Sequence, residues 1–252
     1  MDICQFPKKP TSQLRKKAVG SLDFAFLGVG LLGVDILVSS MRHQVFLLSP
    51  ANCSGRRGQI VMSGKATFDL AVQLRGSEGA PIGDVFSFLS GLYFRGKLAY
   101  ARAFARPVDP LSEISGAGVF IITPSAGLRT PETPVTLAGI RGFARVDVAP
   151  DNPSYRRPLE RSAHALAADI GADCDVVLLG SIASPKYVDV LLGIFSERLL
   201  FPADFVGRGD MSRGGLMLRC VTAGEELRYL PVAGAIRHGQ RPPKLQPLPR
   251  AR

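Results

Sequence analysis

The sequence predicts an α/β protein with a single mixed or mostly parallel sheet and flanking helices. Short apolar runs rich in β-branched residues alternate along the chain with longer segments in which apolar residues recur every three to four positions. Strands separated by helices usually pair in parallel, because the helix carries the chain back across the sheet. The 252 residues are 46% hydrophobic and 21% charged, which is enough for a sizeable core.

Three apolar runs are predicted to be buried strands, at residues 44–49, 118–123 and 175–180. The first two end in a Ser-Pro and a Thr-Pro step, and such steps are typical of turns that close a strand.

Helices are predicted at residues 66–75, 96–105, 154–170 and 185–195. The third pattern is the clearest, with Asn152 as the N-cap, Pro153 at the first helical position and Gly171 as the stop. The Ser184-Pro185 step indicates the start of the last helix in the same way.

The chain is predicted to contain one α/β domain at residues 41–237, between an N-terminal extension (1–40) and a basic, Pro-rich tail (238–252). The extension is basic and then apolar over residues 24–40. It is interpreted as a start-site artefact or dispensable extension before Met41, with an export or membrane segment and an added structural piece as alternatives. Since the apolar stretch is shorter than the roughly 20 residues of a spanning helix, we expect no stable membrane insertion and a cytoplasmic location.

The net charge of +10 is concentrated at the two ends of the chain. Residues 1–20 carry +4 and residues 237–252 carry +5, so the remainder is close to neutral at +1. Within that remainder, residues 56–106 hold eight Lys or Arg against three acids. The ends alone are able to attract polyanions, whereas a basic face on the domain would come from residues 56–106.

The usual signatures of metal and cofactor sites are missing from the sequence, so neither is expected. The cysteines and histidines are scattered, without the short spacings of zinc ligands, and a reduced compartment is expected. The sequence contains no G-x-x-x-x-G-K-[ST], H-E-x-x-H or G-x-S-x-G motif. A G-x-G-x-x-G match at residues 28–33 lacks a preceding strand and the acid that would follow about 20 residues later.

Two glycine-containing segments are the candidate sites. Residues 49–58 follow the first predicted strand and combine small residues with Arg56 and Arg57, a composition suited to holding phosphate or carboxylate. Residues 207–215 contain four glycines, two arginines and one acid, which suggests an anion-binding loop. Surface turns with solvated arginines are the alternative for the first segment, and a flexible hairpin for the second.

Five short blocks of the sequence, spread over about 165 residues, are Leu48-Ser49-Pro50-Ala51, Gly83-Asp84-Val85-Phe86, Ser125-Ala126-Gly127-Leu128-Arg129-Thr130-Pro131, Ala183-Ser184-Pro185-Lys186-Tyr187-Val188-Asp189-Val190 and Arg208-Gly209-Asp210-Met211-Ser212-Arg213. In this order they resemble blocks of the bacterial peroxide stress protein family (YaaA-like). The chain departs from the family at Asn52 and Cys53, where the family has Lys-Thr, and at Lys186, where an acid is usual. The third block also lacks a Tyr-Gly pair.

The resemblance implies a mixed α/β fold with a positively charged cleft, DNA binding and protection of DNA during oxidative stress. Nucleic acid is therefore the first expected partner. Arg56, Arg57, Arg208 and Arg213 are expected to contact phosphates, with Tyr93, Phe94 or Tyr187 stacking on a base. The residues predicted to bind nucleic acid or phosphate are Ser49, Asn52, Gly55, Arg56, Arg57, Ser184, Tyr187, Arg208, Gly209, Ser212 and Arg213.

Two other functions remain open at this point. The first is an enzyme that acts on a nucleotide, nucleobase or modified base, with Asp84, Asp210 or Ser49 as the candidate catalytic residues. The second is a globular domain whose basic tails bind polyanions without specificity. Because no residue fixes a reaction, the sequence leaves open whether the chain is an enzyme.

Overall fold

A computed structural model describes residues 42–183, 185–237, 239–243 and 245. The fold is α/β, with a six-stranded, mostly parallel mixed sheet flanked by helices, as the sequence predicts. The N-terminal extension and most of the Pro-rich tail lie outside the described residues, as does Ser184. Among the helices of the described residues, none combines the length and the apolar character needed to cross a bilayer.

The strands of the described residues are β1 (His43–Leu48), β2 (Ala80–Pro81), β3 (Val119–Thr123), β4 (Gly127–Arg129), β5 (Pro134–Val135), β6 (Cys174–Leu179), β7 (Leu199–Pro202) and β8 (Tyr229–Pro231). The main sheet has the order β4-β3-β1-β6-β7-β8, and β2 and β5 form a separate antiparallel pair. The four central strands are parallel, and the edge strands β4 and β8 are antiparallel to their neighbours.

Helices lie in most of the connections between these strands, except those from β3 to β4 and from β4 to β5. Two short 3₁₀ helices, Ser196–Arg198 and Ala203–Phe205, flank β7. The α-helices are α1 (Arg56–Val61), α2 (Asp69–Arg75), α3 (Ile82–Ser90), α4 (Leu92–Phe104), α5 (Leu137–Ala144), α6 (Pro153–Ile170), α7 (Pro185–Phe195) and α8 (Asp210–Ala223).

β1 is the central strand and is buried on both faces. Its side chains alternate between the faces. Phe46 and Leu48 belong to the hydrophobic cluster that includes residues of α3, α4 and α8. Val45 and Leu47 belong to the cluster formed with α6 and α7. A strand covered by helices on both sides needs apolar residues at every position, which explains its continuous apolar run.

The three predicted strands and the two clearest predicted helices are confirmed. α6 begins at Pro153, and the Asn152 side chain accepts a hydrogen bond from the Ser154 N–H at 3.1 Å, as expected of an N-cap. α7 begins at Pro185. Two predicted boundaries were wrong, because α2 begins at Asp69 and α4 begins at Leu92.

Both glycine-containing segments were predicted as loops, and for part of each segment that prediction was wrong. Residues from Arg56 onward form α1, and those from Asp210 onward form α8. Two of the glycines permit close packing. A Cβ atom on Gly58 would overlap the backbone of Cys53, and one on Gly214 would lie 2.8 Å from the carbonyl oxygen of Leu92 in α4. The absence of a side chain therefore permits these contacts.

Candidate functional site

A cleft of about 640 Å³ lies at the carboxyl ends of the central strands. β1 pairs with β3 on one side and with β6 on the other. After β1 the chain continues to the β3 side of the main sheet, whereas after β6 it continues to β7 on the opposite side. In open α/β sheets, ligands bind at this kind of switch point. The lining comes from the segments that follow β1, β3 and β6 and from the segment before α6, and it includes Ser49, Asn52, Ser54, Pro124, Arg145, Asp147, Ser181, Lys186 and Tyr187.

Ser49 lies directly after β1 and connects the cleft to the interior. Its backbone N–H donates to the carbonyl oxygen of Leu179 at 3.1 Å, which extends the pairing of β1 with β6 by one residue. Only 7% of the residue is exposed, and that part faces the cleft. The β1–β6 pairing therefore fixes the position of the Ser49 backbone.

Lys97 of α4 lies behind Ser49 in the core and is 1% exposed. Its ammonium group donates to the Ser49 carbonyl oxygen at 2.6 Å and to the Ser49 hydroxyl oxygen at 2.9 Å. The same nitrogen lies 4.6 Å from the ring centres of Tyr93 and of Phe94. Such ring faces attract a cation, but they replace only part of the hydration that burial removes.

Burial lowers the pKa of Lys97 from 10.5 to about 7. The charge of Asp210 raises this pKa, whereas the charge of Arg213 lowers it. Burial therefore favours the neutral amine relative to a lysine in water, and a lysine with a lowered pKa is a candidate for proton transfer.

Tyr187 closes the other side of Ser49. Its hydroxyl donates to the carbonyl oxygen of Ser181 at 2.9 Å. Burial raises the pKa of Tyr187, and the nearby Ser49 side chain lowers it. A Cβ atom on Gly180 would lie 2.8 Å from both the Ser49 Cβ atom and the Tyr187 hydroxyl oxygen, so only glycine leaves space for this pair.

Arg213 lies beneath the site and is engaged within the protein. Its Nε and Nη2 atoms donate to the carbonyl oxygen of Phe205 at 3.1 and 2.9 Å, and its Nη1 atom is 3.6 Å from Asp210. The guanidinium carbon lies 5.4 Å from the centre of the Phe205 ring. Only 11% of the Arg213 side chain is exposed, and its charge acts on the neighbouring Lys97, Tyr93 and Tyr187.

The rest of this segment lies at the start of α8, outside the cleft lining. Arg208 is half-buried, and its Nη1 atom donates to the Ser212 hydroxyl at 3.4 Å. Its Nε atom is buried and has no hydrogen-bond partner in the described part of the chain. Gly209 is the N-cap of α8, and the side chain of Asp210 is 68% exposed.

The remaining predicted site residues are spread over the neighbouring elements. Arg56 and Arg57 are exposed on α1, where Arg57 donates to the carbonyl oxygen of Phe88 at 3.1 Å. Gly55, the N-cap of α1, lies next to Asn52. Asp84 is exposed in the first turn of α3 and is not part of the cleft lining.

Two aromatic residues expected to stack on a base belong to the core. Phe94 is fully buried and Tyr93 is 6% exposed. Both rings pack against Lys97, so the expectation that they stack on a base was wrong. Burial raises the pKa of Tyr93, which keeps its hydroxyl neutral beside Lys97. Tyr187 is the one of the three expected aromatic residues that lines the cleft.

The fold and the cleft define an α/β protein with a small-molecule-sized site at the switch point of its sheet. No family model, curated protein or solved structure matches this chain. The resemblance to the peroxide stress family therefore stays a prediction.

Proposed function

We propose that the chain binds a small, nucleotide-like anionic ligand in the cleft beside Ser49. The location of the cleft carries this proposal, because the carboxyl edge at a switch point is where open α/β sheets bind ligands. A volume of about 640 Å³ lies within the range of roughly 300–1,000 Å³ that is usual for small-molecule pockets.

The lining supplies groups that suit an anion with a polar body. Lys186 and Arg145 contribute positive charge, and the hydroxyl groups of Ser49 and Ser181 contribute hydrogen bonds. Residues 51–53, in the loop that follows β1, also line the cleft. Apolar side chains such as Val146 provide a surface for a planar group.

Arg145→Ala is expected to weaken nucleotide binding by roughly tenfold, because it removes a charge-assisted contact. The measurement is a thermal-shift titration of the full chain with nucleoside mono- and diphosphates, since a ligand that binds the native state raises the Tm. Arg141→Ala is the matched control, because Arg141 is exposed on α5 outside the cleft lining. The proposal fails if millimolar nucleotide leaves the Tm unchanged, or if both variants weaken binding equally.

DNA binding, with protection of DNA in oxidative stress, is the second candidate function, and a cytoplasmic location accompanies it. The observation that favours it is the pair of exposed cations, Arg56 and Arg57, on α1, the helix that follows the cleft loop. Residues 56–106 also carry an excess of positive charge. A strand with its phosphates on α1 would bring a terminal nucleotide to the cleft.

The double variant Arg56→Ala/Arg57→Ala is expected to weaken DNA binding and to flatten its salt dependence by about two ion equivalents. Binding of the full chain to short single- and double-stranded DNA across a salt series measures both quantities. The matched control is Arg157→Ala/Arg161→Ala, two exposed positions on α6. If neither double variant changes the salt dependence of DNA binding, the basic tails account for any affinity for DNA.

A further inference from the structure

We propose that Ser49 is a nucleophile activated by Lys97, and that the cleft is the active site of a hydrolase for acyl esters. This inference goes beyond ligand binding, because it assigns covalent chemistry to two side chains. It holds for any acyl ester that the cleft admits, whether or not the ester carries a nucleotide.

The first step is the position of the two side chains. The Ser49 residue lines the cleft, while Lys97 contacts its hydroxyl from the core side, with 2.9 Å between Nζ and Oγ. This distance lies within the range required of a general base and its proton donor. A ligand in the cleft and the base in the core would therefore meet the same oxygen atom from different directions.

The second step is the hydrogen-bond capacity of Lys97. The ammonium ion has three N–H groups, whereas the described residues offer it two oxygen acceptors, both on Ser49. A neutral amine matches the same surroundings. In the neutral form, one N–H would donate to the Ser49 carbonyl oxygen, and the nitrogen lone pair would accept the Ser49 hydroxyl proton, which reverses the present donation from Lys97 to the Ser49 hydroxyl oxygen.

The third step is the electrostatics around the amine. Burial lowers the pKa of Lys97 to about 7; the charge of Arg213 also lowers it, and that of Asp210 raises it. Tyr93 and Tyr187 add no charge, because burial raises the pKa of each hydroxyl. A lysine in such surroundings acts as a general base, as it does in Ser–Lys variants of the catalytic triad.

The reaction follows from these positions. The Ser49 Oγ atom attacks the carbonyl carbon of the ester, an O–C bond forms, and the hydroxyl proton moves to Lys97. The ester C–O bond then breaks, and the alcohol departs with the proton from the lysine ammonium group. Water attacks the acyl-serine, transfers a proton through Lys97 and releases a carboxylic acid, which restores both side chains. No oxidant, reductant or other reactant is needed.

Labelling of the intact protein with a fluorophosphonate reagent tests the nucleophile, with the modified residue located by mass spectrometry. We expect a single adduct on Ser49, whose rate of formation rises more than tenfold between pH 5.5 and 8.5. We expect no adduct at position 49 in Ser49→Ala and a loss of at least about 100-fold in Lys97→Met, the lower range for general base catalysis. Lys65→Met, at an exposed lysine, is the matched control with an unchanged rate.

The absence of an adduct on Ser49 would overturn the inference. A Ser49 adduct that forms at a rate independent of pH, or at the same rate in Lys97→Met, would remove Lys97 from the mechanism. Circular dichroism checks that Lys97→Met folds, and the pH profile of the unmodified chain decides the question if it does not. If the unmodified chain releases p-nitrophenolate from p-nitrophenyl acetate no faster than Ser49→Ala does, the acyl ester class is rejected.

This test separates the inference from the proposed ligand. Nucleotide that occupies the cleft is expected to slow the labelling of Ser49. Labelling that proceeds without nucleotide protection retains the nucleophile and rejects the nucleotide-like ligand. Nucleotide binding without labelling of Ser49 retains the nucleotide-like ligand and rejects the nucleophile.

Discussion

Lys97 is almost fully buried, although lysine side chains are ordinarily exposed to solvent. The residue lies on the buried side of α4, together with Tyr93, Phe94, Leu98 and Ala101. This spacing places it on the apolar stripe of the helix, so its burial was predictable from the sequence. The contact with Ser49 was not, because it depends on how α4 packs against a strand 48 residues earlier in the chain.

The burial of Lys97 is expected to make the stability of the protein depend on pH. Its pKa falls from 10.5 in the unfolded chain to about 7 in the folded protein. Between these values the unfolded chain binds the extra proton, so the free energy of unfolding rises as the pH increases from about 7 to 10.5. The gain is on the order of a few kcal/mol, since each unit of pKa corresponds to about 1.4 kcal/mol.

Urea unfolding of the unmodified chain and of Lys97→Met at several pH values between 6 and 10 measures this contribution. The unfolding free energy of the unmodified chain minus that of Lys97→Met should increase as the pH rises. A difference that stays constant over this range would show that Lys97 keeps its proton in the folded state. Lys65→Met serves again as the control with no pH-dependent difference.

At the scale of the elements, the crossing of α4 and α8 positions the base. A Cβ atom on Gly96 would lie 2.7 Å from the carbonyl oxygen of Gly214, so the two helix backbones are in direct contact. Lys97 follows Gly96 in α4, and Arg213 precedes Gly214 in α8. The charges that act on Lys97 therefore depend on this contact between two glycines.

Gly96→Ala is expected to destabilise the protein by about 1–3 kcal/mol, because the added methyl group forces the helices apart. Gly193→Ala in α7 is the matched control. A Cβ atom there would meet nothing within 4 Å, and alanine favours a helix, so stability should stay equal or rise by up to about 1 kcal/mol. Thermal and urea unfolding measure both changes. Equal effects of the two substitutions would contradict the proposed role of the crossing.

For the whole molecule, three of the strands and four of the helices in the described residues were predicted from the sequence, and the arrangement of the site was predictable only in part. The apolar runs predict β1, β3 and β6, and parallel pairing places Ser49 and Tyr187 at the same edge of the sheet. The start of α8 was missed because its glycines were attributed to an anion-binding loop or a flexible hairpin. Only the packing of α8 against α4 shows that Gly214 permits a close contact.

The short strands at the two borders of the main sheet limit how this protein would associate with other copies of itself. β4 and β8 each contain three residues, and β8 ends at Pro231, which has no N–H group to donate. Within the described residues, neither border offers a long ladder of unpaired backbone groups to a strand from another chain. Short edge strands of this kind disfavour edge-to-edge aggregation through the sheet.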